Sequence, residues 1–318
     1  MTAIYKLLAN SDIAAIRYRT LKELFELPER DGLLQKAFTE VEESKEAKNI
    51  FKKMHPDGYW LQTNPRTKIT VGKGVEYGSY ATTHFAIGYL AELGFTRLHP
   101  TIDKVVNRYL DLIAPDGDWW NHMSCLYGYN IRNLVRMGYR NDERLQKAID
   151  LMIRSIRHDG GYLCDMHEKK AKRKPKKSCY RGALKVLMAL SELPEYHQTK
   201  TCQALLTYFL NREAIYNSKK TAYVTKEMGH NTYPISWGAN TYEVLLSLSK
   251  MGYGQHPALT KAWNLLEQKK TNSGKYILNS THGQSLLKTG PKGEANDWIT
   301  FYIELAKKHR DETKRATI

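Results

Sequence analysis

Between residues 79 and 309 apolar positions repeat every three or four residues, the period of an α-helix. Ala86, Leu90 and Leu93 mark one segment, and Ile131, Leu134, Val135 and Met137 the next. Leu184, Leu187, Met188 and Leu190 follow, then Val244, Leu245, Leu248 and Met251. Between them lie helices that are polar on one side. Pro100 leads Ile102, Val105, Val106, Leu110 and Ile113; Asp142 leads Leu145, Ala148, Ile149, Met152 and Ile156; Pro257 leads Leu259, Ala262, Leu265 and Leu266. Proline or aspartate at the head suits a first helical turn or a cap.

Two kinds of glycine turn punctuate the pattern. Leu93-Gly94-Phe95, Met137-Gly138-Tyr139 and Met251-Gly252-Tyr253 place glycine after an apolar run, the usual left-handed helix stop, and Leu193-Pro194 fills the same slot elsewhere. Asp57-Gly58-Tyr59-Trp60, Asp116-Gly117-Asp118-Trp119, Asp159-Gly160-Gly161-Tyr162 and Ser273-Gly274-Lys275-Tyr276 read as tight turns that end on an aromatic residue. Each unit is therefore an apolar helix, a glycine stop, an amphipathic helix and an aromatic turn. Apolar helices are expected to begin near residues 11, 79, 124, 180, 236 and 296, and amphipathic ones near 31, 101, 142, 198 and 257. A helix over Thr2–Ala9 would supply the sixth outer partner.

Helices that are apolar all round must be buried on every side. A closed double ring, apolar helices inside and amphipathic ones outside, meets that need; an open helical-repeat superhelix is the alternative. The expected fold is all-α, an (α/α)6 toroid forming a single domain over residues 1–309. Residues 1–60 complete the ring and residues 310–318 form a C-terminal tail.

The alternation of helices and the aromatic turns resemble the α/α-toroid superfamily, which includes terpenoid (squalene) cyclases and protein prenyltransferase β subunits. Gln268-Lys269-Lys270-Thr271-Asn272-Ser273-Gly274-Lys275-Tyr276 is the best copy of the cyclases' Gln…Gly-x-Trp repeat. Arg17-Tyr18-Arg19-Thr20-Leu21 is similar to a segment of bacterial prenyltransferase/squalene-oxidase-repeat proteins. The resemblance implies an isoprenoid-like or other hydrophobic ligand in a central chamber, for binding, transfer or cyclisation. Two departures weaken the implied chemistry. The cyclases' acidic motif is absent. In addition, Lys177 stands where the prenyltransferases place a zinc-binding aspartate, and Asp297-Trp298 stands where they place a histidine.

The chain has 318 residues, of which 42% are hydrophobic and 26% charged, as in a folded domain rather than a disordered one. No run approaches the roughly 20 apolar residues of a membrane span, and the first residues lack a signal-peptide core. A cytoplasmic location is expected. Four cysteines are too few for a secreted disulfide framework. The net charge of +16 includes seven cations packed between Lys169 and Lys177, and no basic stripe suggests nucleic-acid binding. That run is either a solvated loop or a contact for an anionic partner.

Ring topology would bring Cys125, Cys164 and Cys179, separated by 39 and 15 residues, to one rim. With His167 they make a candidate Cys3His zinc site; the plainer reading is buried thiols, as expected for Cys202. Aromatic residues near the inner-helix starts are candidate substrate contacts: Tyr77, Tyr80, Trp119, Trp120, Tyr127, Tyr180, Trp237 and Trp298. Glu76, His84, Asp118, His122 and Asp165 are acid/base candidates on the same rim, with Asp118, His122 and Tyr127 foremost for catalysis. Tyr127, Asn130, Arg132 and His122 also suit a lyase-like set. That gives an alternative to the isoprenoid reading: a glycoside hydrolase or polysaccharide lyase acting on an acidic glycan. Whether the chain is an enzyme at all is left open by its residues.

Overall fold

The computed structural model describes residues 3–74, 80–119, 124–165, 167 and 177–316. It is mostly helical. The helices are α1 (Ala3–Ala9), α2 (Ala14–Arg19), α3 (Gly32–Glu43), α4 (Lys45–Lys52), α5 (Thr83–Leu93), α6 (Pro100–Leu110) and α7 (Ser124–Arg136). They continue with α8 (Glu143–Arg154), α9 (Tyr180–Leu190), α10 (Lys200–Leu210), α11 (Thr241–Lys250), α12 (Thr260–Glu267) and α13 (Asp297–Ala316). α2 runs on into a π-helical turn, Thr20–Leu24. Two short antiparallel ribbons pair β1 (Gln62–Thr63) with β2 (Thr70–Val71), and β3 (Tyr276–Ile277) with β4 (Ala295–Asn296). None of the helices among the described residues is long and apolar enough to cross a membrane.

The helix beginnings at residues 124 and 180 fall where the periodicity places them, and the others lie within a few residues of it. α4 is an addition; Ser44 caps it by accepting from the Ala47 amide. Every residue of α5 is buried, as are nearly all of α9 and α11, while α6 and α8 bury one face only. The apolar helices meet in sequence: α2 packs on α5, α5 on α7, α7 on α9, α9 on α11, α11 on α13, and α13 returns to α2. Outside them, α3 packs on α2, α4 on α5, α8 on α7, α10 on α9 and α12 on α11. The tightest neighbours are α7 and α9, where Gly128 lies so close to α9 that an added Cβ would stand 2.1 Å from the Lys185 carbonyl carbon.

The four aromatic turns share one hydrogen-bond pattern. In each, the residue three before the glycine receives the glycine amide and donates its own amide four residues ahead: His55 to Tyr59, Ala114 to Asp118, Arg157 to Gly161 and Thr271 to Lys275. The aromatic residue two after the glycine is buried every time, at Trp60, Trp119, Tyr162 and Tyr276. Each glycine also faces the next outer helix: Gly58 lies against Val105 of α6, Gly117 against Lys147 of α8 and Gly160 against Ala204 of α10. Gly274, in the last turn, faces Ile4 of α1. The N-terminal helix thus occupies the outer place that follows the final turn, and it packs on α2 and its π turn.

Candidate functional site

The connections that enter the inner helices are long, spanning residues 53–82, 111–123, 155–179, 211–240 and 268–296, whereas those that leave them are short. One face of the molecule, where α5, α7, α9, α11 and α13 begin, therefore carries the longer connections. Loops on a rigid frame are where binding groups usually lie.

Tyr80, Trp237 and His282 form an aromatic stack on this face. Tyr80 lies over Trp237 with centroids 4.7 Å apart and over His282 at 3.9 Å, with interplanar angles of 24° and 11°. All three keep partial exposure. Phe85 supports Trp237 edge-on. Beside them lies His84, in the first turn of α5; its Nδ1 is 3.4 Å from the Tyr109 hydroxyl, which also accepts from Asn130 Nδ2 at 2.9 Å. Burial lowers the His84 imidazole to about 3 and the His282 imidazole to about 4. Both rings are neutral at physiological pH, and His84 is buried with its Nδ1 against the Tyr109 hydroxyl.

Asp118 and Tyr127 are joined. The Tyr127 hydroxyl donates to Asp118 Oδ1 at 2.7 Å, lies 2.9 Å from the Gly117 carbonyl oxygen, and accepts from the Trp119 amide at 2.5 Å. Burial, then the adjacent Asp118 carboxylate, raises the phenol far above its ordinary range. Tyr127 is 3% exposed, so it acts as a brace for the aromatic turn, and a phenol held there is a poor proton acceptor. Arg181, at the start of α9, pairs with Glu227 through Nε to Oε2 at 3.0 Å.

The ring topology does bring cysteines together. Ser124 and Cys125 open α7 beside Cys164, whose sulfur lies 3.5 Å from Ser124 Oγ. The influence of Cys125 lowers the Cys164 thiol to about 5, and Cys125 itself is raised. Cys179 feels the charge of Cys164, and burial raises its thiol. His167 is exposed. Among the described residues, no group of three or more His, Cys, Asp or Glu side chains is arranged to hold a metal ion. Cys202 is buried in α10, as its sequence position suggests.

Of the other aromatic candidates, Trp119, Tyr180 and Trp298 are buried in packing, and the Tyr180 hydroxyl donates to the Ala214 carbonyl. Tyr77, Trp120, His122 and Glu76 lie outside the described residues, as does the Lys169–Lys177 run apart from Lys177 itself. The ring interior is ionic where a hydrophobic ligand would need it apolar. Arg19 Nη1 lies 2.9 Å from Glu92 Oε2, Arg132 Nη1 lies 2.6 Å from Glu92 Oε1, and the Tyr302 hydroxyl donates to the same carboxylate. Lys185 and Glu243 form a second pair at 2.6 Å with no exposure at either side chain. These groups come from α2, α5, α7, α9, α11 and α13.

Sequence reasoning overlooked two features. His282 sits in the Thr281-His282-Gly283 segment, which has no periodic pattern to mark it. The ionic interior did leave a trace: Glu92, Lys185 and Glu243 are charged residues set inside runs that are otherwise apolar.

No protein-family model and no curated protein sequence matches the chain. Solved structures do match in fold. A polysaccharide lyase aligns over 96% of this chain and 90% of its own, with 15% identity and a TM-score of 0.51. A glycosyl hydrolase family 88 protein from Bacteroides vulgatus aligns over 95% and 92%, with 15% identity and a TM-score of 0.50. The chain shares with these proteins a helical fold of the toroid type.

Proposed function

We propose that the chain is a six-hairpin (α/α)6 toroid that takes an acidic glycan on the face where its inner helices begin, as a carbohydrate-active enzyme of hydrolase or lyase type. The observation that carries this reading is the partly exposed stack of Tyr80, Trp237 and His282. Aromatic faces suit the C–H face of a sugar ring. The face also favours negative charge. Helix N-termini carry partial positive charge, while Arg181 at the head of α9 is already paired with Glu227. By sequence, the Lys169–Lys177 run leads into the same helix. The toroid-type neighbours, a polysaccharide lyase and a family 88 glycosyl hydrolase, agree with a glycan ligand.

An isoprenoid in the ring interior would have to displace the Arg19–Glu92–Arg132 pairs and leave charges buried without partners, at a cost of several kcal/mol per ion. That argues for the glycan over the hydrocarbon. Calorimetric titration with uronic-acid oligosaccharides, neutral oligosaccharides of equal length and a farnesyl diphosphate analogue tests the reading. Binding of the uronates, at least tenfold tighter than the neutral sugars and weakened by salt, is the expected result. Binding of the prenyl compound alone would refute it.

A further inference from the structure

We infer that the β1–β2 hairpin and Gln284 form a second sugar subsite beside the aromatic stack, a reading that rests on the glycan proposal. Arg66 and Lys68, at its rim, select a ring that carries a carboxylate. The hairpin places its side chains by alternation. Gln62 pairs with Val71 and Thr63 with Thr70, and the Asn64 amide donates to the Ile69 carbonyl at 2.9 Å. Gln62, Asn64, Ile69 and Val71 therefore share one face, while Thr63 and Thr70 meet on the other with their hydroxyls 2.8 Å apart. The first four, with Gln284 from the 268–296 connection, line a cavity of about 230 Å³.

This cavity adjoins the stack through both of the segments that supply Tyr80 and His282. Gln284 follows His282 by two residues, at most about 7 Å of chain. Gly72, the residue after β2, lies against Thr82, where an added Cβ would stand 3.1 Å from the Thr82 Cβ. The Thr83 hydroxyl donates to the Gly72 carbonyl oxygen at 2.5 Å and ties the hairpin to the head of α5. Tyr80 stands only two residues before Thr82.

The lining suits one sugar ring. Its volume falls below the roughly 300–1,000 Å³ of sites that take drug-sized ligands. The side-chain amides of Gln62, Asn64 and Gln284 each carry donors and an acceptor, the functions that match a sugar hydroxyl. Ile69, 61% exposed, and Val71 offer the ring an apolar wall. Charge comes from the turn that closes the hairpin. Arg66 and Lys68 alternate there with the lining residues Pro65, Thr67 and Ile69; both are exposed, and neither has an ion-pair partner among the described residues. Asn64 Oδ1 accepts from the Arg66 and Thr67 amides at 2.9 and 3.1 Å, which fixes the backbone that carries Arg66. A guanidinium takes a carboxylate through two parallel N–H bonds. A uronate ring in the cavity thus meets two cations that are not already neutralised, unlike Arg181, which Glu227 holds.

The test titrates the full chain calorimetrically with a uronic-acid trisaccharide and a neutral trisaccharide. Four variants are compared with wild type: Arg66→Gln with Lys68→Gln, Ile69→Glu, Trp237→Ala, and a control, Arg30→Gln with Lys36→Gln. The control removes the same charge from exposed positions in and before α3. The hairpin double variant should lose at least tenfold in uronate affinity while neutral-sugar binding stays at the wild-type level. Ile69→Glu, which sets an anion in the cavity wall, should weaken the uronate more than the neutral sugar. The control should behave as wild type, and Trp237→Ala should weaken both sugars. An undiminished uronate preference in the hairpin double variant, with Trp237→Ala still weakening both sugars, would overturn the subsite and leave the glycan proposal standing. An equal loss in the control would overturn it as well, by reducing the effect to overall charge. No binding of either sugar to wild type would overturn both.

Discussion

Arg132 on α7 and Glu92 on α5 share an ion pair inside the ring, Nη1 to Oε1 at 2.6 Å, with both side chains almost fully cut off from water. Arg19 joins the same carboxylate from α2, and Tyr302 from α13. One carboxylate thus ties four inner helices together. Removing it would leave buried guanidinium groups without a counter-charge, which costs about 3–5 kcal/mol. Glu92→Ala is expected to lose stability on that scale in urea unfolding. Glu92→Gln should be milder, since it keeps hydrogen-bond acceptance.

The pair Lys185 and Glu243 gives a cleaner version of the same experiment. Neither side chain has any exposure. Lys185→Met alone strands a carboxylate and should destabilise by about 3 kcal/mol or more. The double change Lys185→Met with Glu243→Leu replaces the pair by hydrocarbon and should recover most of that loss. A coupling energy near zero in the double-mutant cycle would contradict the pairing.

Acid should weaken the fold in two stages. Burial holds His84 at about 3 and His282 at about 4, below the ordinary 6.5 of an unfolded histidine. Between those values the unfolded chain binds protons that the folded chain refuses, so stability falls as pH drops below about 6.5. Burial alone would raise Glu92, yet Arg132, Arg136 and Arg19 hold it at about 2. Its contribution is complete above the unfolded carboxyl value of about 4.3 and is lost as pH falls from there towards 2. Unfolding free energy measured against pH should therefore be level near 7 and decline from about 6.5, more steeply below about 4.5. His84→Phe should make the first stage shallower, leaving the His282 share, and should not change the second.

Glycines separate two physical effects. An added Cβ at Gly128 would stand 2.1 Å from the backbone of α9, whereas at Gly252, with φ +86°, nothing lies within 4 Å. Gly128→Ala must push two inner helices apart and should cost about 3 kcal/mol or more. Gly252→Ala meets only backbone strain, about 1–2 kcal/mol. Equal losses of Tm would contradict the close α7–α9 approach.

The frame of the molecule was legible because burial imposes its period on the chain. An inner helix is apolar all round, and Leu184, Leu187 and Leu190 announce one; a left-handed stop needs glycine, and Gly94 and Gly138 supply it with φ of +100° and +94°. The convergence of Cys125 and Cys164 followed from that topology. Side-chain roles were less accessible. Tyr127 and Asp118 are a polar pair near a helix start in sequence terms, and only their mutual hydrogen bond shows them bracing a turn. Trp237 and Trp298 occupy similar places before or at inner-helix starts, yet one is partly exposed and the other fully buried. That difference is set by loops whose course periodicity does not record.

The location of the glycan site is tested most directly by titrating a uronic-acid oligosaccharide into wild-type protein, Trp237→Ala and Arg140→Ala. Arg140 pairs with Glu195 in the short connection leaving α7, on the opposite face. Trp237→Ala should weaken binding at least tenfold with an unfolding midpoint close to wild type, and Arg140→Ala should leave binding unchanged. Unaltered affinity in a folded Trp237→Ala protein, or loss of affinity in Arg140→Ala, would contradict a site built on the Tyr80–Trp237 stack.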